Sequence, residues 1–190
     1  MLIISTLFII LPFLFSYHYP TQQNDNFVEL EEYERPFEIP STWKFVNIMS
    51  LCNMKQWKTI PTNLLEKEGY PVYGANGIIG YYKEYNHDIE TLLITCRGST
   101  CGYTNITKGK CYVNGNALSC DDLSKSINIL FFKYYIDSID MKQQRIITGT
   151  AQPQITQENI SKLYIPLPPL EEQERIVKVL NNLLPLCEAL

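Results

Sequence analysis

The sequence predicts an α+β fold: one compact mixed α/β domain with a twisted sheet and many turns, followed by an amphipathic helix of coiled-coil type. Three observations carry this. Short apolar runs broken by Gly and Asn fill residues 69–120, the pattern of strands and tight connections. Apolar residues then recur at Ile127, Leu130, Phe131, Tyr134 and Tyr135, which is helical spacing. Last, "IPLPPL" (165–170) places three prolines within four positions, and "EEQERIVKVLNNLL" (171–184) follows with an apolar stripe too wide to face water. At 190 residues the chain can bury one sizeable core. Four segments are expected: an apolar segment over 1–23, an acidic linker over 24–40, the mixed domain over 41–169 and the start of the helix over 170–190.

The elements follow in order. "MLIISTLFIILPFLFSYHYP" (1–20) is uncharged, short for a spanning helix and interrupted by Pro12. It lacks the positive start and cleavage site of a signal peptide. It reads as a weak anchor or signal, as an extra apolar helix, or, the reading favoured here, as an upstream segment joined to a truncated gene. Pro36 and Pro40 force extended backbone before them. Ser41 or Thr42 can cap a turn there, with Trp43 as a core anchor. "GYPVYGANGIIGYY" (69–82) reads as two strands with Asn76-Gly77 as the hairpin signal, so Asn76 is a turn residue. "TLLITCRG" (91–98) is a buried strand ending in a turn, and "KCYVNGNALSC" (110–120) is strand, turn and strand, with Asn114 and Asn116 flanking Gly115. Residues 124–144 read as a helix capped by Ser124, and Thr156 opens a helical turn through Lys162. In the last helix the macrodipole favours Glu171, Glu172 and Glu174 in the first turn, and Pro185 is expected to kink or weaken the final turns.

Composition excludes several functions. The net charge of −4 argues against a chain-wide basic surface. Charge is uneven, however: residues 96–111 carry Arg97, Lys108 and Lys110 and no acid. The six cysteines form no C-x-x-C pair, so they read as reduced, half-buried thiols of a cytoplasmic protein rather than a zinc site. No phosphate-binding glycine loop, dinucleotide fingerprint or N-P-P-[YF] methyltransferase motif is present. His87 reads as a surface-loop residue without a role.

Seven stretches in order carry a resemblance: "PFEIPSTW" (36–43), "QWKTI" (56–60), "GYPVYGANGIIGYY" (69–82), "LLITCRGSTCG" (92–102), "NGNAL" (114–118), "GTAQPQIT" (149–156) and "IPLPPLEEQERIV" (165–177). From Phe27 onward the chain resembles the specificity subunit of type I restriction-modification systems, in its target recognition domain and the helix that follows. The resemblance implies a non-catalytic reader of double-stranded DNA with no cofactor of its own. It implies a modification (methyltransferase) subunit that uses S-adenosylmethionine and a translocating restriction subunit that uses ATP and Mg as partners. In that family two recognition domains, separated by antiparallel helices, each read half of a split target. This chain resembles the C-terminal half, so a homodimer through its last helix is a further expectation. A membrane-anchored interaction module, resting on residues 1–20 alone, or a non-functional gene fragment, is the alternative.

Reading bases in the major groove takes Arg or Lys for guanine and Asn or Gln for adenine, with Ser, Thr and Lys on phosphates. Candidates are Arg97, Ser99, Thr100, Asn105, Lys108 and Lys110 on one stretch, and Lys142, Gln143, Gln144, Arg145, Gln152 and Gln154 on another. Taken singly, each is more often a solvated loop side chain, and Arg97 also fits an ion pair bracing a strand end. For the partner-binding helix the candidates are Ile176, Val179, Leu180, Leu183, Leu184 and Leu186.

Overall fold

The computed structural model describes residues 27–188, so the apolar segment expected at 1–23 lies outside it. Among the described residues eleven strands follow in chain order: β1 (Lys44–Asn47), β2 (Asn53–Gln56), β3 (Tyr70–Gly74), β4 (Gly77–Tyr82), β5 (Leu92–Thr95), β6 (Thr104–Ile106), β7 (Tyr112–Val113), β8 (Ala117–Asp121), β9 (Ile147–Thr148), β10 (Gln154–Ile155) and β11 (Tyr164–Leu167). Among the described residues the α-helices are α1 (Ile129–Ser138), α2 (Gln157–Ile160) and α3 (Leu170–Glu188). Among the described residues no helix is long and apolar enough to cross a membrane.

The mixed α/β fold ending in a helix is as expected, and contacts divide it into two units. Of the described residues, the first holds those up to Leu51, Ser124–Ile139 and those from Leu163 onward; the second holds Cys52–Leu123 and Asp140–Lys162. Helix α3 buries its apolar stripe within the first unit. Ile176, Val177 and Leu180 are 1 %, 7 % and 0 % exposed, each worth about 1.5–3 kcal/mol of burial.

In the first unit β1 and β11 pair antiparallel, Lys44 opposite Leu167 and Asn47 opposite Tyr164. Leu30 N–H donates to the Phe45 carbonyl (2.9 Å) and Asn47 N–H to the Val28 carbonyl (2.8 Å). Part of the expected acidic linker therefore pairs with β1, over a stretch too short to show a period of two. Trp43 is buried as expected, and its indole N–H donates 3.0 Å to the Glu172 carboxylate. Helix α1 starts at Ile129 and not after Ser124. Asn128 is the better cap, since its side-chain oxygen takes the N–H groups of Leu130 (2.9 Å) and Phe131 (3.2 Å). Ser124 instead closes a small turn onto Ser126 N–H (3.2 Å).

Helix α1 packs against α3, and the Tyr134 hydroxyl donates to the Asn181 side-chain oxygen. At the start of α3, Gln173 is wholly buried and joins three backbone segments. Its Oε1 accepts from Asn128 N–H (2.7 Å), and its Nε2 donates to the carbonyls of Ser126 and Pro168 (2.8 Å each). The prolines stop the chain in extended form before the helix, as expected. Helix α3 continues through Pro185 to Glu188, with one backbone donor fewer in its last turns.

Glu172 departs from its expected place as an exposed first-turn carboxylate: it is 2 % exposed. Burial pushes its carboxyl above the ordinary value, against the Trp43 hydrogen bond and the Arg175 charge, which both lower it. A carboxyl whose pKa is higher folded than unfolded holds its proton more tightly in the folded state. Its contribution to stability is largest at low pH and is lost as pH rises through the unfolded and then the folded value. Glu172→Gln keeps an acceptor for Trp43 and removes that loss. Urea unfolding is expected to show the variant gaining on the wild type as pH rises from the carboxylate range, about pH 4, to neutrality; a difference that stays constant refutes it.

The second unit contains a four-stranded antiparallel sheet in the order β2-β8-β5-β6, a three-stranded sheet β4-β3-β7 in which β3 and β7 run parallel, and the hairpin β9-β10. Strand β5 is buried along its whole length, as its apolar run predicts. Tyr73, Leu93, Cys111, Val113 and Ala117 form a core cluster with Trp57 against it. Gly115 is required by close approach: a Cβ there would lie 2.4 Å from Thr59 Oγ1 and 2.6 Å from the Trp57 carbonyl. Beside it Asn114, expected in a turn, is buried and accepts the N–H groups of Ile60 (2.8 Å) and Gly115 (3.0 Å). Thr156 caps α2 through Asn159 N–H (3.1 Å), as expected.

His87 is a correction. It is buried, not on a surface loop: Nδ1 lies 2.7 Å from Asn86 Oδ1, Nε2 lies 2.9 Å from Asp121 Oδ1, and Trp57 packs edge-on at 5.1 Å. Asn86 in turn accepts from Val113 N–H (2.7 Å) and donates to its carbonyl (3.1 Å). Nothing local marks this cluster, because its members come from four separate stretches.

Candidate nucleic-acid interface

Strand β5 ends in a turn that the chain holds rigidly. Cys96 N–H donates to the Asn116 carbonyl (2.9 Å), Cys101 N–H to Gly98 (3.1 Å), and Gly102 N–H to Thr95 (2.8 Å). Gly98 supplies φ +90° at the reversal, a conformation that side chains with a Cβ resist. The turn meets the β9-β10 hairpin. Arg97 bridges Gln154, Gly98 N–H donates to the Pro153 carbonyl (3.1 Å), and Ile155 N–H donates to the Cys96 carbonyl (3.0 Å). Two stretches far apart in sequence thus form one exposed edge carrying Arg97, Ser99, Gln152 and Gln154.

Lys142, Gln143, Gln144 and Arg145 are also exposed, on a turn closed by Asp140. Its carboxylate accepts from the N–H groups of Lys142 (3.1 Å) and Gln143 (3.0 Å). This turn adjoins the first one: a Cβ on Gly102 would lie 3.4 Å from Met141 Sδ and 3.2 Å from Ile147 Cδ1. Among the described residues no salt bridge holds Arg97, Lys142 or Arg145. Three cations are therefore available to an anion, and the expectation of an ion pair bracing the strand at Arg97 is not met.

The other candidates lie elsewhere or are otherwise engaged. Thr100 donates its hydroxyl to the Ala75 carbonyl (3.3 Å), where Thr95 Oγ1 also donates (2.5 Å). Asn105 is half-buried on the edge strand β6, opposite Leu93. Lys108 and Lys110 are exposed at the opposite end of β5 from Arg97, because β6 runs antiparallel and carries the chain back. Thr107 N–H donates to the Thr91 carbonyl (3.0 Å) there, and Lys110 Nζ stands 4.7 Å over the Tyr85 ring. The expected basic stretch from Arg97 to Lys110 is split between two ends of the sheet.

The described cysteines Cys52, Cys96, Cys101, Cys111 and Cys120 are buried and form no disulfide with one another. Burial pushes the Cys101 thiol up to about 11, with Cys96 adding to the shift and Lys142 opposing it. A thiol so raised is neutral and unreactive near pH 7. Among the described residues no group of three His, Cys, Asp or Glu is placed to hold a metal.

Residues 40–189 match the family model of the type I restriction modification DNA specificity domain. The chain belongs to this family. Among curated specificity subunits, that of the type I restriction enzyme EcoprrI from Escherichia coli is 31 % identical over 124 residues, covering 63 % of this chain and 30 % of the relative. The putative type I restriction enzyme MjaX specificity subunit of Methanocaldococcus jannaschii is 28 % identical over 161 residues, covering 76 % and 37 %. The chain spans about a third of the length of these relatives. The solved S subunit of M. genitalium matches with a TM-score of 0.64 at 20 % identity, over 76 % of this chain and 40 % of that one. The HsdS subunit of Thermoanaerobacter tengcongensis matches at 0.64 and 22 %, over 81 % and 40 %. This specificity-domain chain therefore shares their fold, as its seven motifs predicted.

On α3 the expected partner residues divide. Ile176 and Leu180 are core residues of the first unit and are closed to a partner. Val179 and Leu184 are half-buried, whereas Leu183 and Leu186 are 37 % and 65 % exposed. A stripe read from sequence reports that something covers it, not what; here much of the cover is the protein itself.

Proposed function

We propose that this chain reads one half of a split DNA target for a type I restriction-modification complex. The observation that supports it best is the shared edge of Arg97, Ser99, Gln152 and Gln154, flanked by Lys142 and Arg145. Gln and Arg are the side chains that hydrogen-bond adenine and guanine edges, and the flanking cations suit phosphates. The chain performs no catalysis and takes no cofactor. S-adenosylmethionine serves the modification subunit; ATP and Mg serve the restriction subunit. Its place of work is the cytoplasm. The exposed remainder of the α3 stripe docks on the modification subunit or on a second copy of the chain.

Fluorescence anisotropy on unselected duplex DNA is the test. Few phosphate contacts are available, so the Kd is expected at about 10⁻⁴ to 10⁻⁶ M. With three cations engaged, log K should fall against log salt with a slope of about −3. Lys142→Ala and Arg145→Ala should each reduce that slope by about 1, while Lys108→Ala with Lys110→Ala leaves it unchanged. Binding indifferent to salt would sink the reading.

A further inference from the structure

We propose that the tip of the β3-β4 hairpin is a third reading element, with Asn76 contacting an adenine in the major groove. The inference rests on the DNA-reading role proposed above. The hairpin turn is Ala75-Asn76, between the paired Gly74 and Gly77. Gly77 follows at φ +89° with open space around it, so the turn closes without strain. What places the tip is the Ala75 carbonyl. It accepts the Thr95 hydroxyl at 2.5 Å and the Thr100 hydroxyl at 3.3 Å. Thr95 lies two residues before Arg97, and Thr100 lies one after Ser99. The backbone neighbour of Asn76 is thereby fastened to the turn that carries Arg97 and Ser99. Asn76 and Ser99 each stand one residue from this tie, which holds their Cα atoms within about 12 Å, roughly the width of the major groove.

The chemistry of the tip fits that neighbour. Asn76 is exposed, and an asparagine amide offers the donor and acceptor that adenine N7 and N6 require. Ile78, 53 % exposed, and Ile79, 40 % exposed, follow on β4. Exposed isoleucine at a hairpin tip is out of place against water but suits a thymine methyl, which lies in the same groove. Ile79 also backs the turn: a Cβ on Gly74 would lie 2.8 Å from its Cγ2. The ribbon tip is thus firm and narrow, and a two-stranded ribbon is one of the forms the major groove admits.

The test is selection of the full chain on a pool of randomised duplexes, with sequencing of the bound fraction. The wild type is expected to enrich a motif containing an A·T pair. Asn76→Ala should lower the preference at that pair at least tenfold and leave the other positions in place, with binding to unselected duplex changed less than twofold. Asn76→Asp, which suits the same turn but lacks the amide donor, should lose the same preference, so the inference does not hang on one variant's folding. A motif identical at every position in both variants overturns the hairpin role and leaves the DNA-reading role standing. A wild type that enriches no motif overturns both.

Discussion

Replacing Gln173 with alanine is expected to cost the first unit about 3–5 kcal/mol of stability. The side chain is wholly buried and joins Asn128 N–H to the carbonyls of Ser126 and Pro168. Truncation removes the partner of Asn128 N–H and of the buried Pro168 carbonyl, and each such group left unpaired costs about 1–3 kcal/mol. Its effect is local to the junction of two helix starts, since Asn128 caps α1 and Pro168 precedes α3. Gln173→Glu sharpens the test. It retains an acceptor for Asn128 but turns a carboxylate oxygen toward two carbonyls, so it should destabilise at least as much. Urea unfolding followed by the fluorescence of buried Trp43 measures both. A loss under about 1 kcal/mol in either variant would mean that packing, not this amide, fixes the two helix starts.

The second large effect separates two faces of α3. Leu180→Asp is expected to unfold the first unit, at a cost above about 4 kcal/mol, because it combines a cavity with a buried unpaired charge. Leu180 is 0 % exposed. The double change Val179→Asp and Leu183→Asp places charges where the helix is half-buried and exposed, and should leave the unit folded. That double variant is expected to lose any complex with the modification subunit or with a second copy. Circular dichroism reports the fold, and light scattering of the chain alone and mixed with the modification subunit reports association. A complex that survives the double change would place the interface elsewhere; a folded Leu180→Asp chain would refute the burial argument.

How much of this was legible in the sequence depends on how local each signal is. The buried strand β5, the hairpin at residues 75–77, the Thr156 cap and the proline stop before Leu170 all follow from neighbouring residues, and all are found. The misread features are long-range. Leu180 looked like a partner residue because the apolar cover it meets comes from elements distant in sequence. His87 looked like a loop residue because its partners Trp57 and Asp121 are each about thirty residues away. At the candidate site, residue types were readable but grouping was not. Arg97 meets Gln154 through a bridge that no local pattern announces, and Lys108 parts from Arg97 because of the direction of β6.

The pairing of β1 with β11 also sets an order of events on the ribosome. Lys44 lies opposite Leu167, so the first strand leaves the exit tunnel long before its partner is made. At about 5–20 residues per second, the wait is roughly 6–25 s. The inserted segments of the second unit are synthesised during that interval and can begin to fold first. The first unit cannot close until Trp43 meets Glu172 near the end of synthesis. For that time Phe45 and Val46, buried in the finished protein, have no lasting cover. A chain cut short before residue 164 would leave them so permanently, and quality control would meet it as a nascent client with its second unit finished and its first still open.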